Sequence, residues 1–296
     1  MSDVVAERPA APAAPGRLGV KVRGKKLRSR IIARIVLIVL SLGFLFPFYW
    51  MVATTLKTSE EMRASPPTLW PHELVWQNFA DAVTTIPFWT FLRNTVIITI
   101  FTVIGSVISN PLIAYGFSRI NWPGRDKVFY IVLATVFVPF PVLIVALFDI
   151  FAKLGWVNTF LPLVVPFFFG QAFWIFLMRQ FLMQIPQEIS DAARIDGASE
   201  GQTFFRVILP LALPAVGVVG LFAALFAWND FLGPLIYLQG IENYTLATGL
   251  TFFRSQHDVQ FNLLMAASTL VMLPVVAMFF LFQRTLVEGI TLGSIK

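Results

Sequence analysis

Six runs of apolar residues, each about long enough to cross a bilayer, constrain this chain more than any other feature. They lie at about residues 34–56, 94–117, 128–148, 160–181, 209–228 and 262–282. A span needs roughly 20 mainly apolar residues, because without water every backbone N–H and C=O must be paired inside the segment. Composition agrees: 57% of the residues are hydrophobic and 13% charged, against roughly 25% charged in a soluble domain. The expectation is an all-α integral membrane protein with six transmembrane helices. Residues 1–30 form a basic, Pro/Ala-rich tail (ERPAAPAAPG) without the apolar content to fold. Residues 31–296 form the membrane domain. In the tail, small residues precede the basic and apolar ones, the reverse of a cleavable signal, so the first span reads as an uncleaved anchor.

The net charge of +6 reflects topology, and no nucleic-acid partner is expected. Nine basic residues run from Arg8 to Arg34, against the first span. Of 22 Lys and Arg in all, only Lys57, Arg63, Arg93, Lys153 and Arg254 fall on the opposite side of the six-span topology. The positive-inside rule then makes both termini cytoplasmic, with attraction to the anionic lipid bilayer as a secondary effect. With no cysteine in the chain, disulfides, thiol nucleophiles and Cys-ligated metals are excluded. His72 and His257 stand in connecting loops without a ligand cluster, so no metal is expected. Gly19, Gly24 and Lys25 fit G-x-x-x-x-G-K, but Lys26 stands where a phosphate loop needs Ser or Thr for Mg²⁺, and no strand precedes it. With no dinucleotide motif, no G-x-S-x-G and no carboxylate pair inside a span, no catalytic residue and no bound cofactor are expected. Transport or signalling across the bilayer remains.

The polar stretch between the fourth and fifth runs, IPQEISDAARIDGASEGQTFFRVILP at about 185–210, reads as a helical hairpin. Pro186 suits a first helical turn, and Glu188 puts negative charge near the positive end of the helix dipole. Gly197 closes the first helix, since glycine tolerates the left-handed backbone found just past a helix. Ser199 and Gln202 have the spacing of a capping box that starts a second helix, and Pro210 stands at the entrance of the fifth span. Such a hairpin projects Ala192, Ala193, Gly197 and Ala198 at the cytoplasmic surface, where small residues permit close approach by another protein. An amphipathic hairpin resting on lipid headgroups is the competing reading of the residues alone.

The spacing Asp191-Ala192-Ala193, three residues, Gly197, nine residues, Val207-Ile208-Leu209-Pro210 resembles the E-A-A…G…I-x-L-P loop of permease subunits in bacterial ATP-binding cassette (ABC) importers. It departs with Asp191 for Glu and Val207 for Ile. Ala227-Trp228-Asn229-Asp230-Phe231, Asn262 to Ser268, and Gln283-Arg284 with Val287 to Gly293 are similar to the carbohydrate-importing branch and to the smaller of its two permeases. The resemblance covers nearly everything from residue 31 onward. It implies a type I ABC importer permease in the bacterial inner membrane. It also implies a second permease, a dimer of ATPase subunits that bind ATP and Mg²⁺, and an extracytoplasmic solute-binding protein. The hairpin is then the coupling helix, with Glu188, Asp191, Ala192, Ala193, Asp196, Gly197, Ala198, Ser199 and Pro210 as its contact or shaping residues. The C-terminal GITLGSIK is implied to reach between the ATPase subunits.

Polar residues in or beside spans are expensive unless they line water or pair with a neighbour. Asn110, Tyr115, Trp228, Asn229 and Asp230 are therefore candidates for a sugar path, with Asn94, Ser106, Ser109, Gln171, Trp174 and Tyr237 beside them; aromatic faces stack on sugar rings and amides bind hydroxyls. Interhelical hydrogen bonding and the interfacial aromatic belt are competing roles. Pro111 in the second run and Pro139 and Pro141 in the third imply kinks. Other readings of the chain are an importer permease for an amino acid, peptide or polyol, an ion-coupled carrier, or a membrane scaffold. The carrier would need intramembrane carboxylates, and only Asp149 and Asp230 stand near spans, at their outer ends.

Overall fold

Thirteen α-helices occupy most of residues 19–254 and 259–291, the residues that the computed structural model describes. The segment before Gly19, His257 and residues 292–296 lie outside the described residues, and with them most of the expected tail and the end of GITLGSIK. Helix α1 (Gly19–Thr55) takes in the basic stretch as well as the first apolar run, so Gly19 to Lys26 is helical. The chain divides after Met51 into two units. The first is the bulk of α1, in which Phe46 contacts the rings of Tyr49 and Trp50.

The second unit, from Val52 on, holds α2 (Gln77–Thr85), α3 (Phe88–Ser118), α4 (Arg125–Ala134), α5 (Phe140–Lys153), α6 (Leu161–Val164), α7 (Ala172–Leu182) and α8 (Gln187–Ile195). It continues through α9 (Glu200–Gln202), α10 (Leu209–Asn229), α11 (Leu232–Tyr237), α12 (Leu246–Gly249) and α13 (Phe261–Thr291). No β-strand occurs among the described residues beyond an isolated bridge between Arg254 and Val259.

Among the described residues, five helical stretches are long and apolar enough to span a membrane. The third run is different. Its two halves, Arg125–Phe137 and Phe140–Lys153, meet at 100°, so the kink expected at Pro139 and Pro141 is a break. The physical reason is local. Pro139 has no N–H to donate and forces Val138 into an extended backbone (φ −82°, ψ 110°). Pro141 then falls in the first turn of α5, where its missing N–H costs nothing. The fourth run also changes winding, from α6 through a 3₁₀ segment (Val165–Phe169) to α7, turning at Gly170. Helix α3, by contrast, continues through Pro111.

Helix α3 is the spine, packed against α7 and α10, while α10 packs in turn on α13. Small residues on α10 make that approach close: Ala212, Ala215 and Ala223 are fully or almost fully buried. The hydroxyls of Thr95, Ser106 and Ser118 donate to the carbonyls of Phe91, Thr102 and Ala114 four residues back, so buried polar side chains pair inside their own helix. Asn94 donates to the carbonyls of Glu242 (2.7 Å) and Tyr244 (3.0 Å), tying the turn before α12 to α3.

Candidate functional site

The hairpin expected at 185–210 is built as two helical pieces around one glycine. Pro186 (φ −53°, ψ 139°) takes the capping position and α8 begins at the next residue, with Glu188 in its first turn. Ser190 and Ala193 face inward; Glu188, Asp191, Ala192, Ile195 and Asp196 are exposed. Ala193 is thus part of the packing, while Ala192 and Gly197 form the outer surface. At the end of α8 the Gly197 N–H donates to the Arg194 carbonyl (3.0 Å) and the Ala198 N–H to the Ala193 carbonyl (2.9 Å). Those two bonds define a Schellman closure, which needs a left-handed residue; Gly197 supplies it at φ +81°. The capping box then forms: the Ser199 N–H donates to Gln202 Oε1 (2.8 Å), and the Gln202 N–H to Ser199 Oγ (3.3 Å). From Thr203 to Ile208 the helix widens to π winding before α10 starts, with Pro210 in its first turn.

Two residues at the C-terminal end of α3, Tyr115 and the capping Arg119, brace this hairpin from below. Arg119, 3% exposed, reaches under it. Its Nη2 donates to the carbonyls of Leu182 (2.5 Å) and Ile185, and its Nη1 to Gln187 Oε1 (2.9 Å) and the Pro186 carbonyl (3.3 Å). One planar guanidinium thereby pairs acceptors left over where α7 ends and α8 begins, which a point-charge lysine would not match. Burial pulls the Arg119 guanidinium below its ordinary pKa. Tyr115 adds the second brace: its hydroxyl donates to Glu200 Oε2 at 2.8 Å. Glu200 Oε1 accepts from Arg194 Nε (2.8 Å), and Arg194 Nη1 donates to Asp191 Oδ1 (2.8 Å). The hydrogen bond to Glu200 holds the Arg194 guanidinium above its ordinary value. Both helices of the hairpin are therefore linked to each other and to α3, and Asp191 has an ion-pair partner within the chain. The tip is the opposite. Apart from its chain neighbours, no described atom lies within 4 Å of a Cβ placed at Gly197, and Ile195 is 86% exposed.

The residues considered for a sugar path do not meet in one place. Tyr115 belongs to the brace. Asn110 donates to the Ser106 carbonyl and accepts the Gln171 N–H (2.8 Å), fixing the start of α7. Trp228 is buried, and its indole donates to the Val271 carbonyl (3.1 Å), joining α10 to α13. Asn229 donates back to the Leu225 carbonyl. Asp230 alone of the five lines a cavity of about 480 Å³, shared with Gln171 and Tyr237. Sequence reasoning missed the roles of Arg119, Arg194 and Glu200. The signal was faint: a lone arginine at the end of a span whose charge already served the topology. Among the described residues, no cluster of His, Asp or Glu could hold a metal ion.

Residues 18–291 match the family described as the binding-protein-dependent transport system inner membrane component. The chain belongs to this family. It is a multi-pass protein of the inner membrane, of a kind that forms the non-catalytic permease part of ABC transporters. The arabinooligosaccharides transport system permease protein AraQ of Halalkalibacterium halodurans is 32% identical over 254 residues, 85% of this chain and 91% of that protein. The trehalose/maltose transport system permease protein MalG of Thermococcus litoralis is 31% identical over 280 residues, covering 91% and 99%. The diacetylchitobiose uptake system permease protein DasC of Streptomyces coelicolor is 29% identical, covering 92% and 99%. A chain in the crystal structure of a bacterial ABC transporter involved in alginate import shares the fold. Its TM-score is 0.74 at 22% identity, over 92% of this chain and 99% of that one.

Proposed function

We propose that this chain is one permease subunit of an ATP-driven importer for a sugar or sugar derivative. It contributes half of the translocation path and couples to an ATPase subunit through the 185–210 hairpin. The observation that carries the reading is the contrast within the hairpin, between a base tied by Arg119 and Tyr115 and a tip that leaves Ile195, Ala192 and Gly197 bare. A rigid projection with an unpartnered apolar tip transmits force to whatever grips it. The relatives' sugar substrates supply the class of solute. The assembly comprises a second permease, two ATPase subunits that hold ATP and Mg²⁺, and an extracytoplasmic binding protein, with both termini of this chain cytoplasmic. ATP closes the ATPase pair and moves the hairpins as rigid bodies. Turning such a two-state equilibrium from 1:99 to 99:1 takes about 5.5 kcal/mol of differential binding, which a loose loop would dissipate.

The test is Gly197→Asp. Within the chain the new Cβ meets open space, and Asp tolerates the left-handed backbone better than most residues. Membrane insertion is expected to stay normal while uptake is lost and the ATPase no longer co-purifies. Normal uptake by a correctly inserted variant would refute the coupling role.

A further inference from the structure

The cavity beside Asp230 lies at the other end of α10 from the hairpin. Its wall carries three polar side chains, Asp230, Gln171 and Tyr237, among the aromatic rings of Phe151, Phe167 and Phe226. Tyr237 is 2% exposed, and its hydroxyl has no hydrogen-bond partner among the described residues. A buried, unpaired hydroxyl is costly and calls for an explanation. The ring that carries it is held: Phe148 stacks on it at 6.4 Å, and Phe151 meets it edge-on at 5.3 Å. Asp230 is held as well, its Oδ1 accepting the Gly233 N–H at 3.1 Å. Gly233 leaves the room: a Cβ there would stand 2.5 Å from Asp230 Oδ2. The Gln171 backbone is placed by the Asn110 side chain, which accepts its main-chain N–H. Four elements thus fix polar groups around a space of about 480 Å³, a size and mixture of apolar walls and sparse polar groups suited to a small organic ligand.

We infer that this cavity binds one glycosyl unit of the solute, and that the unit is neutral. The inference rests on the importer reading and deepens it. A sugar hydroxyl accepts from or donates to the Tyr237 hydroxyl, a second hydroxyl donates to the Asp230 carboxylate, and the Gln171 amide serves a third. The apolar C–H faces of the ring lie against the phenylalanines. A uronate or sulfonate would bring a second negative charge beside Asp230 in a poorly solvated space, where like charges repel strongly. The site therefore selects against acidic sugars.

The test uses the full transporter, this chain with the second permease and ATPase with which it co-purifies. Thermal unfolding in detergent is followed with maltose, trehalose or diacetylchitobiose as neutral probes and with digalacturonate as the acidic one. At least one neutral probe is expected to raise the wild-type Tm, with no rise from the acidic one. Tyr237→Phe removes only the unpaired oxygen, so its Tm without sugar stays equal or rises, while the sugar-induced shift is lost. Asp230→Asn loses the shift too. In proteoliposomes loaded with ATP and supplied with the binding protein, Tyr237→Phe raises the transport KM about tenfold, the worth of one hydrogen bond. An equal Tm shift in Tyr237→Phe, a larger shift with digalacturonate, or no shift with any neutral probe overturns the inference while leaving the importer reading intact. A wild-type complex that carries no solute in proteoliposomes overturns that reading, and the inference with it.

Discussion

Arg119 shows how much of the hairpin's rigidity hangs on single side chains. Its guanidinium serves the carbonyls of Leu182, Ile185 and Pro186 and the side chain of Gln187. Removing it leaves several buried acceptors unpaired, each worth about 1 kcal/mol. Arg119→Gln is therefore expected to weaken the base of the hairpin by about 2–4 kcal/mol. Amide hydrogen exchange over residues 185–210 should quicken roughly a hundredfold, with uptake falling while the spans stay inserted. Arg119→Lys should recover little of this, because an ammonium cannot span the same acceptors. Tyr115→Phe removes only the bond to Glu200, so about 1 kcal/mol and a smaller change in exchange are expected. Exchange rates in Arg119→Gln equal to wild type would show that the hairpin's own caps suffice.

The broken third span and the turn in the fourth belong to the scale of elements, and both sit beside the cavity. Gly170 makes the turn at φ +86°, with a would-be Cβ 2.5 Å from Ile113 Cδ1 and 3.0 Å from Ile175 Cδ1. Gly170→Ala meets both the left-handed penalty and an overpacked contact, so a loss of about 2–4 kcal/mol is expected. The Tm of the purified complex measures it, and an unchanged Tm would mean that the two isoleucines move aside at no cost. The sequence showed that Pro139 and Pro141 disrupt the third run, because each lacks a donor wherever it stands. The size of the bend was not legible, since it depends on what α4 and α5 pack against. Ser199 and Gln202 were legible for the opposite reason: a capping box is a contact over three residues, complete within the local chain.

For the whole molecule, orientation is the property most open to direct measurement, because a chain without cysteine gives a clean background for single-cysteine labelling. Ala192→Cys and Ser199→Cys should react with a membrane-impermeant maleimide only in inverted vesicles, and Ala192→Cys should be shielded once the ATPase subunit binds. Glu242→Cys, in the turn between α11 and α12, should react only in right-side-out cells. Labelling of Ala192→Cys from outside would invert the topology inferred from the basic residues and remove the hairpin from the ATPase.

The sequence alone determined the class, the apolar runs, the hairpin and its caps, because each depends on hydrophobic length or on contacts within a few residues. Tertiary structure decided what the isolated polar side chains do. Asn110, Tyr115 and Trp228 look alike as polar residues in apolar runs, yet they hold the start of α7, brace the hairpin and join two helices. Tyr237, in a cavity wall, has a buried hydroxyl with no hydrogen-bond partner among the described residues. A polar group in an apolar segment must find a partner, but which partner it finds depends on residues far along the chain, 85 positions away for Tyr115 and Glu200 and 150 for Asn94 and Tyr244. Only the packing of the helices brings such residues together.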